Sequence, residues 1–110
     1  MPQTLTFSIT TSADNTTWPV ATATGAYTVP TGVTMVKADA SGGAFTVTLP
    51  DAAGDNADRV IIIKKIDATA NAVTVDGDGA DTIDGATTNI ISVQNASITV
   101  VSDGSNWCIA

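Results

Sequence analysis

Apolar and polar residues alternate along this chain in short stretches. Leu5, Phe7 and Ile9 are separated by Thr and Ser, and the same two-residue period recurs at Val33 and Met35, at Phe45, Val47 and Leu49, at Val73 and Val75, and at Ile98 and Val100. A period of two sets one side of an extended strand against a core. Val60, Ile61, Ile62 and Ile63 form an unbroken apolar run, which predicts a strand covered on both faces, within one subunit or between subunits. If Ile61 and Ile63 face one way, Ile62 and Lys64 face the other, and Lys65 returns to the first side and ends the buried stripe. Turn residues punctuate the runs at Pro30-Thr31-Gly32, Ser41-Gly42-Gly43, 50–54, 67–71, Asp76-Gly77-Asp78-Gly79, Asp84-Gly85 and Asp103-Gly104. Strands at intervals of roughly 8 to 12 residues predict an all-β fold, a small antiparallel β-sandwich, barrel or prism-like module. Residues 51–58, behind Pro50, read as a loop with at most one short turn of helix.

Lys37 to Val47 lines up with Lys65 to Val75 at an offset of 28 residues. Both segments describe a strand, an Asp-led turn and a second strand, with Asp39 and Asp67 placed to accept amide hydrogen bonds across the bend. Two units are few for a repeat array, so the favoured reading is two similar β-arches in one sheet system, with a solenoid-like duplication as the other. Residues 1–32 differ in texture. Ser8 to Thr24 is rich in Ser, Thr, Asn and Ala, and such a stretch gains order only by lying against something else. The chain therefore divides into an N-terminal strand or arm, 1–32, and a compact β module, 33–110. Leu5, Phe7 and Ile9 either complete the module's own sheet or reach a neighbouring subunit.

Composition narrows the function. The chain has 110 residues, 4 Lys and Arg against 11 acids, and a net charge of −7. Every acid is Asp, which suits turns and caps, while abundant Thr, Val and Ile suit sheet. A negative surface with 5% aromatics lacks the cations and stacking platforms that a nucleic acid requires. An apolar run of four residues is far short of the roughly 20 that span a membrane, and the first residues resemble no secretion signal, so no membrane insertion and assembly in the cytoplasm are expected. Histidine is absent, and the carboxylate pairs Asp51 with Asp55, Asp55 with Asp58, and Asp76 with Asp78 all fall in turns, where Asp serves as a cap. No catalytic residue and no cofactor are expected, and the chain reads as no enzyme. Cys108 lacks a base partner and reads as a small buried residue.

Asp76, Asp78, Asp81 and Asp84 are the candidate ligands for a hard cation such as calcium. Their spacing departs from the EF-hand loop, with Asp81 where glycine is required, and a metal-free double turn with Ile83 packed inward is the favoured reading. Arg59, Lys64 and Lys65 read as an internal salt-bridge or edge-protecting device rather than a ligand site. The patterns at Asn15-Thr16-Thr17 and Asn95-Ala96-Ser97 match glycan acceptors by chance when no secretion signal accompanies them.

Five segments taken in order, Phe45 to Gly54, Arg59 to Lys65, Ala72 to Val75, Ala80 to Gly85 and Ile98 to Trp107, resemble the β modules of bacteriophage tail fibres, tailspikes and small virion proteins. The resemblance covers residues 33–110 and concerns architecture more than activity. It implies a homotrimeric structural protein of the virion, a capsid decoration, head spike or fibre element that docks on a phage capsid or tail protein and either stabilises the particle or contacts the host surface, with a host surface glycan as a candidate partner. It also implies roles for particular residues: Leu49 closes a core strand, Ile61 and Ile63 lie in the core or subunit interface, Ile83 plugs the Asp-Gly turn, and Trp107 anchors the last strand. A stand-alone glycan- or surface-binding module is the alternative.

Overall fold

The structure, a computed structural model, describes residues 19–110. Leu5, Phe7 and Ile9 lie outside the described residues. Among the described residues nine strands follow one another: β1 Val20–Ala23, β2 Tyr27–Thr28, β3 Met35–Ala38, β4 Phe45–Thr48, β5 Val60–Lys65, β6 Val73–Asp76, β7 Thr88–Ile91, β8 Ser97–Ser102 and β9 Trp107–Ile109. A 3-10 turn at Gly54–Asn56 is the helical piece of the 51–58 loop. The fold is all-β and consists of two sheets, sheet A in the order β1-β3-β5-β8-β9 and sheet B in the order β2-β4-β6-β7.

Pairing departs from the antiparallel expectation. β1 with β3, β3 with β5, β2 with β4, and β4 with β6 are parallel, whereas β5 with β8, β6 with β7, and β8 with β9 are antiparallel. The chain alternates between the sheets, so β1–β2, β3–β4 and β5–β6 are three β-arches stacked in parallel, closed at one side by antiparallel strands. The segments that align at an offset of 28 are the second and third of these arches. They stack as successive rungs across both sheets, a solenoid-like arrangement rather than two arches in one sheet system. Residues 20–28, from the segment set apart as an arm, form the first rung.

The offset is 28 between Phe45 and Val73 but 27 between Lys37 and Lys64, so Ala38, not Lys37, stands beside Lys65. One extra residue in the third arch, 66–72 against 39–44, absorbs the difference. Side chains at matched positions share a face. The faces between the sheets form the core, with Val36, Ala38, Val47, Leu49, Ile61, Ile63, Val73, Val75, Ile83, Val100 and Trp107 all buried.

Gly77 shows how tightly the 77–87 connection is drawn. A Cβ there would collide with the Asp81 backbone oxygen, and the Gly77 amide donates to Thr87 O at 3.1 Å. Gly77→Ala therefore forces the backbone apart and is expected to destabilise the fold by about 1–3 kcal/mol, read as a lower midpoint in urea.

Candidate functional site

Register determines what each sheet shows on its outer side. On sheet B, Thr46 stands beside Thr74 and then Ile90, while Thr28, Thr48, Asp76 and Thr88 form the neighbouring row. That face is rich in hydroxyls. On sheet A, Val20, Met35, Ile62 and Thr99 form one row, and Val60, Val101 and Cys108 the next. Those rows are apolar apart from Thr99, and the row beyond Ile62 on the same face is polar: Thr22, Lys37, Lys64 and Ser97. Val20 is 55% exposed, and Met35, Val60, Ile62 and Val101 are half-buried. No second layer among the described residues covers them.

The run Val60–Ile63 is thus split between two environments. Ile61 and Ile63 are fully buried in the core, while Val60 and Ile62 belong to the outer apolar face. The alternation also carries Lys65 inward, where it is fully buried. Its Nζ donates to Asp67 Oδ2 at 2.7 Å, to Thr69 O at 2.7 Å and to Asp67 O at 3.2 Å, which uses all three ammonium protons. Asp67 in turn accepts from Thr69 N at 3.1 Å, from Thr69 Oγ1, and from Ala40 N of the rung beneath at 2.7 Å. Asn71 Nδ2 donates to Ala40 O at 2.8 Å and completes the tie between rungs. Burial alone would raise the Asp67 pKa, but these hydrogen bonds outweigh it and hold the carboxyl far below the usual carboxylate range.

The three neighbouring cations therefore have separate duties. Lys65 makes the ion pair, Arg59 donates to Pro30 O and Val33 O, both at 2.6 Å, and Lys64 stands on the outer face beside Lys37. Leu49, Ile61, Ile63, Ile83 and Trp107 are all buried in the core. Trp107 Nε1 donates to Pro50 O at 3.2 Å, its amide to Thr82 O at 2.8 Å, and its carbonyl accepts from Asp84 N at 3.0 Å.

The candidate cation ligands do not converge as a set. Asp78 and Asp81 meet Asp51 from the preceding connection, with one carboxylate oxygen of each within 4.8 Å of the others, while Asp76 and Asp84 stand apart. Asp76 ends β6, and Asp84 Oδ1 accepts from Ile109 N at 3.0 Å. Asp81 Oδ2 accepts from Ala52 N and Asp51 Oδ1 from Ala53 N, each at 3.0 Å, so backbone caps account for two of the three without a cation. Asp51 was invisible as a member because its partners lie 27 and 30 residues away, beyond any local spacing rule.

Cys108 corrects another expectation, since it is exposed rather than buried. It stands opposite Val101, which places it at the margin of the apolar face. Desolvation, and then the carboxylates of Asp103 and Asp84, raise its pKa above the usual thiol value. Alkylation near pH 8 is therefore expected to be slower than for a free cysteine, and faster in Asp103→Asn, which removes a charge while keeping the cap oxygen that Ser105 N and Asn106 N use. Rates of reaction with a maleimide or iodoacetamide check both points.

No family model and no curated protein matches this chain.

Proposed function

We propose that this chain is a non-enzymatic structural protein of a bacteriophage virion, a capsid decoration, head spike or fibre element that acts as a homotrimeric β knob. The observation that carries the reading is the contrast between the two outer faces. Sheet B presents mostly threonines, with Ile90 the one large apolar side chain among them, while sheet A groups the exposed Val20 with the half-buried Met35, Val60, Ile62 and Val101 on neighbouring strands. A contiguous apolar patch on one side of a small protein marks an interaction surface. Burying it against sister chains contributes about 25 cal/mol per Å² of apolar surface before the costs of association are subtracted. The resemblance of residues 33–110 to phage β modules supplies the setting. Parallel rungs, each hydrogen-bonded to the next and tied by Lys65 and Asp67, give a stiff body suited to a mechanical part of a particle.

Particle composition tests this reading. Wild-type chain is expected in purified virions in multiples of three copies, and Ile62→Lys, which sets a charge in the middle of the apolar face, is expected to stay in the unassembled fraction while keeping its β-sheet circular-dichroism spectrum. Virions that incorporate Ile62→Lys at the wild-type level, or that lack the chain altogether, contradict it.

A further inference from the structure

The connectivity sorts the charges by end. Every connection alternates between two ends of the strands: 24–26, 39–44, 66–72 and 92–96 lie at one end, the arch end, and 29–34, 49–59, 77–87 and 103–106 at the other. Asp51, Asp55, Asp58, Asp78, Asp81, Asp84 and Asp103 fall in connections of the second end, with Asp76 closing β6 beside them. Arg59 is the one cation there, and its guanidinium is engaged with Pro30 O, Val33 O and Asn56 Oδ1. That end carries a formal −7. The arch end holds Lys37, Lys64 and Lys65 with Asp39 and Asp67, a formal +1.

Lys65 and Asp67 neutralise each other, and Asp39 accepts from Ser41 N at 3.0 Å. Arg59 is held by neutral oxygens rather than by a carboxylate, and the cations of the arch end left without an ion pair among the described residues are Lys37 and Lys64, which register sets side by side on the outer face of sheet A, between Thr22 and Ser97. Two like charges directly opposite each other on a sheet disfavour the fold slightly. Opposing carboxylates would relieve that repulsion. Both lysines adjoin the apolar row of Val20, Met35 and Ile62, so whatever covers that row also meets them.

We infer that, in the trimer proposed above, the three-fold axis runs along the stacking direction of the rungs, so that Lys37 and Lys64 of each copy face the carboxylates at the far end of the next. Strands then lie across the axis, and each copy's arch end adjoins its neighbour's acidic end around the ring, a head-to-tail contact that closes after three. The other orientation, strands along the axis, gathers three ends of −7 at one pole of the assembly and leaves the lysines facing one another. Long-range repulsion between chains of −7 does not oppose the ring in physiological salt, because screening over about 8 Å leaves only the charges at the contact to decide orientation. The poles are separated by the length of a strand, roughly 15–20 Å.

This inference rests on the self-association proposed above, and sedimentation equilibrium on the full chain separates the two. Wild-type trimer is expected to dissociate at a concentration several-fold higher in 0.5 M than in 0.15 M sodium chloride. Lys37→Glu with Lys64→Glu is expected to weaken association by about tenfold or more, as is Asp51→Lys with Asp55→Lys and Asp78→Lys. The milder Lys37→Gln with Lys64→Gln is expected to fall between, which guards against a reversal that merely harms folding. All reversals combined in one chain are expected to restore the trimer, since each contact then pairs glutamate with lysine. A trimer split by Ile62→Lys but indifferent to salt and to both reversals overturns the orientation and leaves the self-association standing. A combined variant that fails to recover also overturns the orientation, and a wild-type monomer at every salt removes both.

Discussion

Trp107→Ala is expected to lower the melting temperature by about 15–30 °C, a loss of about 3–5 kcal/mol. The indole is the largest fully buried side chain among the described residues, 1% exposed, and it is wedged where three connections meet. Its Nε1 holds the Pro50 carbonyl, its backbone pairs with Thr82 and Asp84, and Ile83 bridges to it in parallel. Truncation leaves a cavity between the sheets and strands the Pro50 oxygen without a donor, two costs that add. Trp107→Phe restores most of the volume but not the hydrogen bond, and its melting temperature is expected to lie between the two. Differential scanning calorimetry on the three proteins checks the order.

Asp67→Asn is expected to lower the melting temperature by on the order of 10 °C at pH 7, and to flatten the acid limb of the stability curve. The buried Lys65 ammonium loses its counter-charge and keeps only the carbonyls of Asp67 and Thr69. The pH dependence follows from the direction of the shift. The folded-state pKa of Asp67 lies below the unfolded value of about 3.9, so its contribution is fully present above about pH 4 and is lost as pH falls through the folded value. Asp39, held low by hydrogen bonds from Ser41, and Asp103, held low by the amides of Asn106 and Ser105, act in the same direction. Wild type is therefore expected to lose stability progressively below about pH 4, and Asp67→Asn to lose less over that range. Thermal melts from pH 7 to pH 2 read both slopes.

Much of this architecture is legible in the residues because strands announce themselves by period. The alternation through Ile61, Ile63 and Lys65 places all three on the core side, and the Asp-led bends at Asp39 and Asp67 cap the amides that their spacing implies. Direction of pairing is another matter. Val33-Met35 and Phe45-Val47-Leu49 alternate in the same way whether the neighbouring strand runs parallel or antiparallel, so the stacked arches are invisible to periodicity. The internal alignment at 28 residues was the available signal, and the extra residue in the third arch hides the 27-residue register of sheet A within it.

The candidate surface was legible only in part. The run Val60–Ile63 points to a strand with two apolar sides, but Val20, Met35 and Val101 join it only through pairings that cross 15 to 41 residues of chain. The separation of charge is likewise a property of connectivity. Asp51 and Asp103 are far apart along the chain and share an end because the strands between them traverse the sheets an even number of times.

The account turns on sister chains covering the outer face of sheet A, and sedimentation equilibrium of the untagged wild-type chain across the micromolar range tests that most directly. A mass of three chains, each 11.1 kDa, is the expected result. A single-chain mass at every concentration would contradict it.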